Sequence, residues 1–133
     1  MKRVLHTLVL VLGTIWCTHA QDNLSALLPM PNSVTQVKGK PYRFVEGRCL
    51  IIDTDPELRF VATTLANIIE QRTGVRMDIA THGTKGDISL SLDPSLQGDE
   101  HYRIEVRDKG ITLTGSSVTA LYRATMTMDQ LMM

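Results

Sequence analysis

Asp99 and Glu100 are the residues that first invite a chemical reading, two adjacent carboxylates directly after Gly98. Paired carboxylates do acid–base work on glycosidic bonds only when they flank the scissile bond across a defined gap. Neighbours at a strand entrance project to opposite faces, so this pair reads as solvated charge. His82, His101 and Cys49 are the soft ligands after residue 20, widely spaced and without an H-E-x-x-H or C-x-x-C pattern, so no metal site is expected. Gly115-Ser116-Ser117 lacks the G-x-S-x-G frame of a nucleophile elbow and reads as a strand end followed by a helix cap. The glycines match neither P-loop nor dinucleotide spacing, so no cofactor is expected. Cys49 precedes the apolar run Leu50-Ile51-Ile52 and reads as a small core residue. No residue is assigned a catalytic, cofactor-binding or metal-binding role.

Aromatic residues argue in the same direction. Trp16 is the single tryptophan and lies in the first twenty residues, leaving Tyr42, Phe44, Phe60, Tyr102 and Tyr122. Phe60 is placed at the rim of a helix, and Tyr102 and Tyr122 fall in apolar-face register as core residues. A surface for stacking sugars on exposed rings is therefore poorly equipped.

The elements that would carry these residues are legible from periodicity. Tyr102, Ile104 and Val106 alternate with Arg103, Glu105 and Arg107, and Ile111 and Leu113 with Thr112 and Thr114. Asp108-Lys109-Gly110 supplies the turn that makes these two runs an antiparallel hairpin. Ser116 or Ser117 caps a following helix that runs to about Gln130. Upstream, Asp55-Pro56 opens the strongest helix, with Leu58, Val61, Ala62, Leu65, Ile68 and Ile69 at helical spacing and Gly74 as its stop. Val34–Val37 and Tyr42–Val45, joined by Gly39-Lys40-Pro41, read as a strand pair, Leu50-Ile51-Ile52 as a strand covered on both faces, and Arg76–Ala80 and Ile88–Leu92 as half-buried strands. The expected fold is α+β: a mixed, largely antiparallel sheet of about six or seven strands with two main helices packed on one side.

Residues 1–20 have the form of a signal peptide. Lys2 and Arg3 precede an apolar run from Val4 to Ile15, and Thr18-His19-Ala20 offers a cleavage site before Gln21. The run is short of the roughly 20 residues that span a bilayer. Cys17 raises lipidation as an alternative fate, although Trp16 occupies a position where a small residue is wanted. Export to the periplasm, cell surface or medium is expected. Losing Lys2 and Arg3 takes the basic count from 14 to 12 against 14 acidic residues. That balance argues against a nucleic-acid partner. Cys49 alone remains, so no internal disulfide is expected.

The sequence also carries an ordered set of motifs. Leu27-Leu28-Pro29-Met30-Pro31, an apolar strand, a proline-opened helix ending in Thr73-Gly74, then DEHYRIEV, GITLTG and LYRATMTMDQL resemble the N-terminal, non-catalytic (20b-type) domain of bacterial family 20 glycoside hydrolases, the β-N-acetylhexosaminidases. The resemblance spans Leu27 to Leu131. It departs from the family at Ala120, Ala124 and His101, where glycine is common. With the signal peptide read at 1–20 and a polar leader at 21–26, the resemblance implies an accessory domain at 27–131, and the catalytic (β/α)8 barrel is expected to be absent from a chain that ends at 133. In that family the substrate's own acetamido oxygen is the nucleophile, and an Asp-Glu pair in the barrel orients the acetamide and protonates the leaving oxygen. Asp99-Glu100 belongs to the accessory-domain motif and does not take those roles. The missing barrel is the implied partner, met through Met126, Leu131 and Met132 at the end of the last helix. A free-standing exported carbohydrate-binding or scaffold module is the alternative.

Overall fold

The computed structural model describes residues 27, 31–84 and 86–133. The expected signal peptide and leader lie outside them. The order of elements is β1 (Cys49–Ile51), α1 (Pro56–Thr73), β2 (Asp78–Ala80), β3 (Ile88–Leu92), β4 (Tyr102–Arg107), β5 (Gly110–Gly115) and α2 (Val118–Leu131).

Both helices form where their local chemistry places them. The Asp55 side chain accepts the Glu57 amide at 2.9 Å, Pro56 takes the first helical position, and Gly74 closes α1 with φ 76° while its amide donates to Glu70 O. Ser117, rather than Ser116, caps α2: its Oγ accepts the Ala120 amide at 3.1 Å. Leu58, Val61, Ala62, Leu65 and Ile69 form the buried stripe of α1, and Ala120, Leu121, Ala124 and Met128 that of α2.

The five strands make one sheet in the order β2-β1-β3-β5-β4. Three of its four pairings are parallel: β1 with β2, β1 with β3, and β3 with β5. The β4–β5 hairpin is the antiparallel pairing, with Ile104 opposite Leu113 and Arg107 opposite Gly110. The expected largely antiparallel character is thus corrected. The connection through α1 returns β2 beside β1 in the same direction, as a helical crossover does.

The strand count is corrected as well. Residues 34–37 and 42–45 form no ladder, so the expected first strand pair is missing from the five-stranded sheet. A lone two-stranded ribbon is marginal in water without a sheet to join. This segment is held by side chains instead. Tyr42 Oη donates to Gly86 O at 2.6 Å, and the Tyr42 and Phe44 rings meet edge to face at 5.1 Å, both packed against the core. Val34 and Val37 remain half exposed.

One face of the sheet is apolar and carries both helices. Leu50, Ile88, Leu90, Ile111 and Leu113 meet Leu58, Leu65, Ile69, Leu121 and Met128 in one core. The opposite face is polar. Ser89 pairs with Thr112 and Ser91 with Thr114 in register, their hydroxyls 3.3 and 3.5 Å apart. The strand at β1 is covered on one side rather than both: Leu50 is buried, while Cys49 and Ile51 are half-buried.

Candidate functional site

The helical layer has its own outer surface, and there the structure departs from the pattern. Tyr122, expected in the core, is 39% exposed and stacks on Phe60, itself 66% exposed, with ring centroids 6.2 Å apart. Phe60 is on α1 and Tyr122 on α2, so the stack bridges the two helices on their solvent side. Met126 follows Tyr122 by one helical turn and is half-buried. The periodicity of α2 concealed this, because Tyr122 adjoins the buried Leu121 and occupies the edge of the apolar stripe. Leu131 and Met132, expected to face a partner, lean on the domain's own core. Met133 is 73% exposed.

A second tie fixes the relative position of the helices. Arg72 Nε lies 2.6 Å from Asp129 Oδ1 and Arg72 Nη2 lies 3.2 Å from Oδ2. The hydrogen bond from Arg72, supported by its charge, holds the Asp129 carboxyl below the usual range.

The carboxylates that drew attention in the sequence lie beside the start of α2. Asp99 and Glu100 sit in the turn before β4. The Asp99 carbonyl accepts from Ser117 Oγ, and Glu100 Oε1 pairs with Arg123 Nη2 at 2.8 Å with both side chains about half exposed. They anchor the start of α2 to the turn. Ser116 Oγ is buried without a hydrogen-bond partner, while its amide donates to His101 O. His82 is exposed beside Thr81, and His101 is exposed beside Gly98. Cys49 is half-buried on the polar side of β1 rather than in the core, and its amide donates to Asp87 Oδ1 at 3.0 Å. Among the described residues, no three His, Cys, Asp or Glu side chains gather into a metal-binding group.

Two hollows remain. One, of about 250 Å³, lies past the carboxyl ends of the parallel strands β1 and β2, between Asp53, Asp55, Arg59 and Thr81. Such ends are where open α/β sheets bind ligands. Here the carboxylates serve the chain: Asp53 Oδ1 accepts the Thr54 amide at 2.7 Å and Asp55 caps α1. The other, of about 350 Å³, runs between residues 40–45 and the turn at Gly86.

The chain is an α+β domain with its helices on one face of a mixed sheet and an aromatic pair exposed on that helical layer. The chain belongs to glycosyl hydrolase family 20: the family model "Glycosyl hydrolase family 20, domain 2" matches residues 24–133. A beta-N-acetylhexosaminidase of Cellulomonas fimi is 28% identical over 108 residues, covering 79% of this chain and 22% of that enzyme. The Streptomyces plicatus N-acetyl-beta-hexosaminidase structure superposes with a TM-score of 0.72 at 34% identity, over 81% of this chain and 21% of that one. The GH20 beta-N-acetylhexosaminidase of Streptomyces coelicolor A3(2) gives 0.67 at 34% identity, over 74% and 20%. The chain spans about a fifth of the length of these relatives.

Proposed function

We propose that this chain is the accessory domain of an exported β-N-acetylhexosaminidase, and that it carries none of the catalytic groups. The observation behind this reading is the match to domain 2 across residues 24–133, with the chain spanning only about a fifth of each enzyme it resembles. The parent enzyme would remove terminal N-acetylhexosamine residues by substrate-assisted retaining hydrolysis, the chemistry of its family. The role of this domain is to pack its helical layer against the catalytic barrel. The outer surface of α1 and α2 supports that role, since Phe60, Tyr122 and Met126 offer apolar area that the domain's own sheet does not use. Rigid aromatic anchors of this kind dominate interface energetics.

The purified 133-residue chain, offered an aryl N-acetylglucosaminide, should release no phenol. Turnover by the chain alone would overturn the reading. Export is tested separately: the secreted product should begin at Gln21, and a product retaining residues 1–20 would refute a cleaved signal.

A further inference from the structure

From the outer edge of β4 we infer that two copies of this chain join there, strand against strand, about a two-fold axis through Ile104. The contact is independent of the hexosaminidase reading, and it leaves free the helical surface proposed to meet the barrel.

β2 and β4 are the two edges of the sheet. β2 spans only Asp78–Ala80, and so short an edge is a poor template for another strand. β4 spans six residues, Tyr102–Arg107, without a proline. Its outward groups follow from the ladder with β5. His101 O accepts the Ser116 amide at 2.8 Å, one step beyond the Tyr102–Gly115 pair. The alternation of an antiparallel ladder then turns the backbone of Arg103, Glu105 and Arg107 toward β5, and that of Tyr102, Ile104 and Val106 outward. Among the described residues, no strand pairs with that outer edge.

Backbone groups alone would accept many strands, so the side chains choose the partner. Arg103, Glu105 and Arg107 stand exposed on the polar face. When β4 lies antiparallel to a copy of itself with Ile104 opposite Ile104, Arg103 of each copy faces Glu105 of the other. Centring on Arg103 sets Arg103 against Arg103. Centring on Glu105 sets Glu105 against Glu105 and Arg103 against Arg107. Centring on Val106 overlaps only the end of the strand. The charge pattern thus selects a second copy and one register. Among the described residues, Arg103 and Glu105 form no ion pair within the chain. Arg103 exerts only the weakest of the influences on Asp93, which is held chiefly by Ser95. On the other face, the same register sets Val106, 47% exposed, against Tyr102, whose Oη is fixed 2.7 Å from Thr127 Oγ1. Apolar area that the domain's own core leaves open is covered there.

The test is sedimentation equilibrium of the chain carrying Phe60→Ser and Tyr122→Ser, which removes the exposed stack as a rival contact. Concentrations from about 10 µM to about 1 mM suit the small, weak interface that one strand pairing makes. A reversible monomer–dimer equilibrium is expected. Arg103→Glu and Glu105→Arg should each raise the dissociation constant about tenfold, because either change makes both symmetry-related contacts repulsive. Combining the two should restore the original value, and mixing the two single variants should give a mixed dimer. With β4 unaltered, amide exchange at Tyr102, Ile104 and Val106 should slow as concentration rises, while Arg103 and Glu105, already bonded to β5, should not change. That measurement decides even if a charge variant unfolds. A monomer at every concentration, a dimer indifferent to both single reversals, or exchange at Ile104 that does not slow overturns the edge contact. A combined variant as weak as the single ones overturns the register.

Discussion

Arg72 and Asp129 join the last turn of α1 to the last turn of α2 through two nitrogen–oxygen contacts. The bond lowers the folded pKa of Asp129, so its stabilising effect is complete above the ordinary carboxylate pKa of about 4 and is lost as pH falls through the lower folded value. Asp129→Asn should lower the melting temperature at pH 7 by at most about 5 °C, given how exposed the pair is, and the difference from the parent chain should vanish in strong acid. Thermal melts of both proteins across pH 2 to pH 7 measure it. A difference as large at pH 2 as at pH 7 would mean the pair is not its source.

Leu113 is fully buried on β5, between Leu90 on β3 and Ile104 on β4. Leu113→Ala removes apolar area and leaves a void between sheet and helices, at a cost of about 2–5 kcal/mol. Urea unfolding should show the midpoint falling while the slope stays constant.

Gly115 ends β5 where α2 begins. A Cβ there would stand 2.9 Å from the Leu121 amide nitrogen and 3.0 Å from Ser117 O, which are backbone atoms and cannot rotate away. Gly115→Ala should cost about 1–3 kcal/mol by shifting the first turn of α2. Gly74→Ala provides the contrast: it has open space around it, and its cost comes from φ 76° alone. Equal unfolding midpoints for Gly115→Ala and the parent chain would contradict the close packing.

Burial raises the Tyr42 phenol above its ordinary value, with Arg48 opposing and Asp87 adding to the effect. The neutral phenol is the form the fold favours. Its contribution is complete below pH 10 and is lost as pH rises through the higher folded value. Alkaline absorbance titration should show a late phenol step that is absent in Tyr42→Phe, and the variant should lose less stability than the parent above about pH 10. A Tyr42→Phe variant that keeps the late step would contradict it.

Phe60 and Tyr122 form the exposed stack on the helical layer. Exposed apolar surface of this kind drives association when its partner is missing. The chain should self-associate at high concentration and bind an apolar dye. Phe60→Ser with Tyr122→Ser should reduce both while changing stability by only about 1 kcal/mol, as expected for a surface pair. Sedimentation showing a clean monomer of the unaltered chain would count against this surface.

The helices and the hairpin were legible because their determinants are local. Asp55, Pro56 and Gly74 write the two ends of α1 into the sequence, and Asp108-Lys109-Gly110 sets the β4–β5 register. The parallel pairings were not legible. Nothing in the alternation of Ile88, Leu90 and Leu92 records which strands lie beside them or in which direction. Tyr42–Val45 misled for a related reason: alternation reports which side chains are buried, and Tyr42 and Phe44 are packed inward without any ladder. Glu100 reads as surface charge in the sequence and lies exposed against Arg123, while the Phe60–Tyr122 stack required knowing how α1 and α2 lie together.

The strand order carries a kinetic consequence. β4 and β5 can zip across a two-residue turn, but β3 finds both neighbours only after distant parts of the chain return, β1 from before α1 and β5 from the far side of β4. Closing those long loops precedes any reward from the contacts they make, which slows assembly. Pulse-labelled hydrogen exchange should therefore protect amides of the hairpin first and those of β1 last. In the interval the Ile-Ser-Leu-Ser-Leu segment of β3 is an open strand edge, the stage at which a nascent chain is most exposed to pairing with its neighbour.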